Sequence, residues 1–321
     1  MHNSLPYKTK QFFFVLIKLS IVGGAIYFVY QKLTDNPDLN LSEFIVFARE
    51  NKVLSSKNAL ILVLLSILNW CFEILKWKYL TSPVARLNFK QAMEQSLGAL
   101  TASLFTPNRI GEYGAKAIYF EGSKRKSILM VNLLGNILQM GITVIFGIIG
   151  LSFFMNRYHL EIDFYRFGRL LIIFFLAIAL VGFGIRKSEF SIKGFSFEKV
   201  KQFVLNYPKN GLSLGVLFSL FRYLIFSFQF FLLLHIFNTD LAYFEAMMVI
   251  TSLYLLASLL PSIFIFDAVI KGGVAVYLFS FLGINPLIIL STVTIMWLLN
   301  FALPSVFGSY YVLNFNLPKS E

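Results

Sequence analysis

Charged side chains are scarce in this sequence: Asp, Glu, Lys and Arg make up 14% of 321 residues, against roughly a quarter in an ordinary soluble domain. Cysteine is scarcer still. Cys71 stands alone, which excludes an intramolecular disulfide and a cysteine-built metal cluster. His2, His159 and His235 lie far apart with no HExxH or similar spacing, so neither a metal nor a cofactor is expected. The sequence also has no GxxxxGKS or GxxxxGKT phosphate loop. ATP hydrolysis is unsupported, and the chain does not read as an enzyme.

Apolar length is what the sequence has in abundance. Hydrophobic residues reach 57% and mean hydropathy is +0.73. Several runs attain the ~20 residues that a helix needs to cross ~30 Å of hydrocarbon. Long runs without alternation exclude a barrel and predict an all-α integral membrane protein. The net charge of +12 does not point to nucleic acid, because Lys and Arg gather in short connections between apolar runs, as they do in cytoplasmic membrane loops. Full spans are predicted at about 11–31, 58–79, 128–154, 168–186, 212–237 and 287–313. The first follows Lys8 and Lys10 but has no small-residue cleavage site, so it reads as a retained span and not a signal peptide.

Two further apolar regions do not read as simple spans. Region 92–120 breaks at Thr106-Pro107-Asn108, and region 244–283 breaks at Pro261-Ser262. A proline removes a backbone donor and crowds the preceding turn, so each region is expected to be two helical pieces, too short to cross alone. Loop charge then decides the topology. If both regions return to the side they entered from, as re-entrant hairpins, Lys124-Arg125-Lys126 and the basic segment 186–210 fall on the cytoplasmic side. Single crossings would place both outside. The expected protein has about six full transmembrane helices and two Pro-broken hairpins, lies in the cytoplasmic membrane, and has both termini in the cytoplasm. A homo-oligomer is left open.

The two broken regions resemble each other. Ala92-Met93 and Ala246-Met247 precede Pro107 and Pro261 by the same interval, and each proline is followed by an acid with a lysine four residues later: Glu112 and Lys116, then Asp267 and Lys271. An odd number of full spans separates them, so the second copy would enter from the opposite face. This predicts one polytopic domain, 1–321, with inverted repeat units at 58–154 and 212–313 and with 11–31 and 168–186 peripheral.

Ionisable groups within a bilayer are costly and mark function. Glu73 and Lys76 share a face of the second span with Asn69, and Arg222 shares one with Phe226 and Gln229. Glu112 to Lys116 and Asp267 to Lys271 have the favourable acid-before-base order for a helical ion pair. Arg109 is suited to hold a phosphate through two parallel hydrogen bonds. The bland alternative, that these charges merely neutralise one another and fix packing, is also available. The candidate binding or translocation residues are Glu73, Arg109, Glu112, Lys116, Arg222, Gln229, Asp267 and Lys271. Pro107, Asn108, Gly111 and Pro261 mark the hairpin breaks.

TPNRIGEYGAKAIYF at 106–120 resembles the proline, arginine, Gly-Glu signature of the lysylphosphatidylglycerol synthase transmembrane-region family, a group of flippase-like membrane proteins. NWCFEILKWKYL at 69–80, RYLIFSFQF at 222–230 and LPSIFIFDAVIKGGVAVYLF at 260–279 look like further blocks of it. The last departs from the pattern, with Phe266, Asp267 and Lys271 where a glycine-rich approach, a glutamate and an arginine are expected. The resemblance implies the translocation half of such proteins. It does not imply synthase activity, since the longest cytoplasmic loop, 186–210, is too short to fold as an aminoacyl-transferring domain. The expected function is movement of a lipid, or a polyisoprenyl phosphate, across the bilayer, with its anionic or zwitterionic head group in a charged cleft between the hairpins. A secondary transporter for a small anionic solute and a non-transporting envelope-assembly protein are the alternatives.

Overall fold

The computed structural model describes residues 7–34, 41–104, 106, 109–159, 197–259 and 267–316, with side chains for all of these except 7–14, 28, 29, 32–34, 41–43, 197–200 and 267–270. The expected span at 168–186 and the break residues Pro107, Asn108 and Pro261 lie outside the described residues. Every described element is helical. Helix α1 is Tyr7–Thr34, α2 Leu41–Glu50, α3 Ser56–Thr81, α4 Phe89–Ser103, α5 Gly111–Ala117, α6 Arg125–Arg157, α7 Phe197–Leu205, α8 Lys209–Ile236, α9 Tyr243–Leu259, α10 Asp267–Ser280, α11 Pro286–Trp297 and α12 Leu303–Asn314.

Four apolar stretches are of membrane-spanning length: α3, α6, α8 and the composite Pro286–Asn314, with 26, 33, 28 and 29 residues. Each exceeds the ~20 that hydrocarbon requires, and the chain is a multi-pass membrane protein. Their starts are written locally. The Ser55 side chain accepts from the Asn58 amide to open α3, Asn88 and Gln91 form a reciprocal capping box for α4, and Asn285 followed by Pro286 opens α11. The composite helix is not regular throughout. A π-helical turn at Leu298–Ala302 joins α11 to α12, and two of its carbonyls accept from α3: Leu299 O from the Ser66 hydroxyl and Asn300 O from Trp70 Nε1.

At 15 and 7 residues, α4 and α5 are each too short to cross, as the chain break predicts. They fold back on one another: the Tyr119 hydroxyl, beyond the end of α5, reaches Glu94 O near the start of α4 at 3.5 Å. Ala92 and Phe120, which flank the pair, share one core cluster with Leu80, Ile128 and Tyr207. Ala246 and Phe279, which flank α9 and α10, share a different cluster with Phe154, Phe237 and Ile289.

The packing is reciprocal. Helix α4 lies against α12, α9 lies against α6, and α3 lies against α8. Both outer crossings are close enough to require glycine. A Cβ on Gly308 would stand 2.1 Å from Leu97 O and 2.3 Å from Thr101 Oγ1, one on Gly150 1.8 Å from Thr251 Oγ1, and one on Gly147 2.4 Å from Leu255 Cβ. Leu97 and Thr251 are separated by the same interval as Pro107 and Pro261, and so are Thr101 and Leu255. Positions at matching distances before the two prolines, on α4 and α9, thus meet glycines on α12 and α6. Lys18, in α1, donates to Leu313 O at the end of α12, where terminal carbonyls favour a cation.

Candidate functional site

The spacing of Asn69, Glu73 and Lys76 puts three polar side chains on one face of α3, and all three are buried. Burial demands partners, and each has them. Glu73 accepts from Lys76 Nζ at 2.7 Å and from Arg222 Nη1 of α8. Arg222 Nε donates to Asn69 Oδ1 at 3.2 Å. Asn69 Nδ2 donates to Asn300 Oδ1 at 2.9 Å, and Asn300 Nδ2 donates to Gln229 Oε1 at 2.9 Å. Gln229 Nε2 in turn donates to Leu62 O. The π turn places Asn300 where it joins α3 to α8.

The first hairpin supplies a second cluster of the same composition. Glu112, in the first turn of α5, is held by Lys116 Nζ at 2.7 Å and by Arg109 Nη2 at 2.8 Å. Lys116 is 2% exposed. Its ammonium also donates to Asn132 Oδ1 at 2.9 Å and stands 4.2 Å from the centre of the Trp77 ring, a cation–π contact. Arg109 holds φ at +55°, in the left-handed region that most side chains avoid. The turn beneath it is tight: the Thr106 hydroxyl donates to Ser103 O and accepts from the Gly111 amide, and a Cβ on Gly111 would fall 2.9 Å from Thr106 Cγ2.

Each carboxylate is therefore gripped by one deeply buried lysine and one more accessible arginine. The lysine side chains are 4% and 2% exposed, and those of Arg222 and Arg109 are 21% and 35% exposed. Between the clusters lies a cavity of about 190 Å³, lined by Trp70, Glu73, Lys76, Ser96, Arg109, Glu112, Lys116, Asn136, Gln139 and Arg222. Asn69, Gln139 and Arg222 each fall near the middle of a membrane-length helix. Asn136 is exposed and donates to the Tyr113 hydroxyl at 2.9 Å, and Ile110, Ile137 and Met140, next in sequence to the lining residues Arg109, Asn136 and Gln139, are exposed apolar side chains.

The model of the family described as "Lysylphosphatidylglycerol synthase TM region" matches residues 15–308. The chain belongs to this family. Comparison with curated proteins and with solved structures gives no match.

Of the residues singled out from the sequence, this family member brings Glu73, Arg109, Glu112, Lys116 and Arg222 around one cavity. Gln229 is buried behind it and reaches it through Asn300 and Asn69. The tip of the second hairpin, 260–266, expected to face the first across a cleft, lies outside the described residues. Among the described residues, the cavity is lined by the first hairpin with α3, α6 and α8, and α9 and α10 contribute nothing to its wall. Helix α9 packs against α6 and α8, and α10 against α11. Lys271 is half-buried in α10 and does not line the cavity, and the Asp267 side chain lies outside the described residues. Sequence reasoning missed Trp70, Ser96, Asn136 and Gln139. Asn132, Asn136 and Gln139 have the same i, i+4, i+7 spacing as Asn69, Glu73 and Lys76, so that periodicity was a usable signal.

Proposed function

We propose that the protein is a flippase-like transporter in which the mid-membrane cavity accepts the head group of a lipid while the tails stay in the bilayer. The observation that carries this reading is a cavity of net positive charge, halfway along three membrane-length helices, whose lining residues Arg109, Asn136 and Gln139 are each followed in sequence by an exposed apolar side chain, Ile110, Ile137 and Met140. A solute site fed from water would be expected to have a polar mouth. Exposed apolar side chains beside the lining residues suit a ligand with hydrocarbon attached.

The fold is read as an inverted repeat, with each hairpin re-entering from the side opposite to the other. Reciprocal packing of α4 on α12 and α9 on α6 supports this, as do the separate clusters that gather the two ends of each hairpin. Units related in this way can exchange conformations to expose a midplane site to alternate faces. On charge grounds the protein lies in the cytoplasmic membrane with Lys124-Arg125-Lys126 in the cytoplasm. Reconstitution in vesicles with labelled phospholipids tests the reading. Leaflet exchange above that of protein-free vesicles is expected, with loss in Arg109→Ala and Glu112→Gln. Exchange that persists undiminished in both variants would reject the site. Binding and uptake of a small anion with no lipid exchange would favour a solute carrier instead.

A further inference from the structure

Resting on the reading of the cavity as a head-group site, we infer that the group it accepts is a phosphomonoester dianion and not a phosphodiester or a zwitterion. The charge count comes first. Lys76, Arg109, Lys116 and Arg222 line the cavity against Glu73 and Glu112, a formal excess of two positive charges. Uncompensated charge at mid-membrane is costly, and a ligand bearing two negative charges cancels this excess. A phosphodiester leaves one charge over, and a zwitterion leaves both.

Unfilled donors give the second, independent observation. Arg109 Nε is buried with no hydrogen-bond partner, although Nη2 of the same guanidinium is committed to Glu112. Ser96, 4% exposed on α4, lines the same cavity with its hydroxyl unpartnered. Buried donors require acceptors, and a terminal phosphate offers three strong acceptor oxygens. Lys116 is not placed to make this contact, since its ammonium is already taken by Glu112, Asn132 and the Trp77 face. Direct recognition therefore falls to Arg109 and Ser96, with Arg222 on the far wall and both lysines acting through their field. A monoester lipid such as phosphatidic acid, a polyisoprenyl monophosphate and free phosphate share this chemistry.

The test is a set of titrations of the purified full-length protein with phosphatidic acid, phosphatidylglycerol, phosphatidylcholine and inorganic phosphate, followed by fluorescence of the tryptophans at the site. Phosphatidic acid should bind about tenfold or more tighter than phosphatidylglycerol at pH 7.5. The advantage should shrink towards pH 5, as the second phosphate proton returns with a pKa of about 6. Ser96→Ala should weaken phosphatidic acid binding about fivefold or more at unchanged thermal stability. Arg109→Lys, which keeps the charge but lacks Nε, should weaken it as well. Arg157→Ala, at an exposed pair with Glu245, should not. Equal affinity for phosphatidylglycerol, still dependent on Arg109, would overturn the dianion and leave the lipid site standing. Binding of inorganic phosphate at the same concentrations as phosphatidic acid would keep the dianion and overturn the lipid source. No binding by any of the four would overturn both.

Discussion

Arg109 occupies a backbone conformation that glycine would adopt without strain. Left-handed φ at a non-glycine residue costs on the order of 1 kcal/mol, and the partly exposed pair with Glu112 returns about as much. The variant Arg109→Gly should therefore leave the melting temperature nearly unchanged and abolish lipid exchange. A structural role would produce the opposite pattern, lower stability with activity retained. The double swap Glu112→Lys with Lys116→Glu separates the readings again. It conserves net charge, yet places a lysine against Arg109 and a carboxylate on the negative face of the Trp77 ring. Exchange should be lost in that variant, whereas charges that only neutralise each other would tolerate it. The Glu112–Lys116 pair was legible because a four-residue spacing on a helix is local information. The Arg222–Glu73 pair bridges 149 residues, and nothing in either neighbourhood names the other. Ser96 was invisible for another reason: one serine among several polar residues of a short helix is ordinary until its neighbours leave it without a partner.

Between elements, the reciprocal crossings make sharper demands than the apolar pattern does. Gly308→Ala and Gly150→Ala each force a methyl into a partner helix, against Leu97 O and Thr251 Oγ1, and overpacking of this kind costs about 3 kcal/mol. Gly141→Ala on the exposed face of α6 meets nothing within 4 Å and should gain about 0.5–1 kcal/mol from helix propensity. Thermal unfolding of the three variants in detergent checks the contrast, and equal effects would refute the packing account. Asn300→Ala removes an acceptor from Asn69 and a donor from Gln229. It should cost about 1–3 kcal/mol and weaken exchange, because Asn69 steadies Arg222. The helices themselves were readable from apolar run length and cap residues. The π turn was not, since Ser66 and Trp70 on another helix provide the donors that its carbonyls accept.

At the scale of the whole molecule, the account rests on two hairpins that enter from opposite faces. With Cys71→Ser removing the native thiol, single cysteines at the exposed positions Lys124 and Lys209 should be labelled from the cytoplasmic side, and those at Lys57 and Asp240 from the other. Labelling of both Lys124 and Lys209 from the outer face, the side of Lys57 and opposite to Asp240, would mean that region 92–120 crosses once. The expected topology is read from loop charge, because insertion reads Lys and Arg near span ends. The wall of the cavity was not legible, because the hairpin sequences give no hint that α3, α6 and α8 meet the first hairpin around it. The central claim remains that this cavity moves a head group across the bilayer. Leaflet exchange of labelled phosphatidic acid, compared between vesicles holding the native protein and vesicles holding equally stable Arg109→Gly, tests it most directly. The account predicts exchange by the native protein and none above empty vesicles by the variant; equal exchange by the two would contradict it.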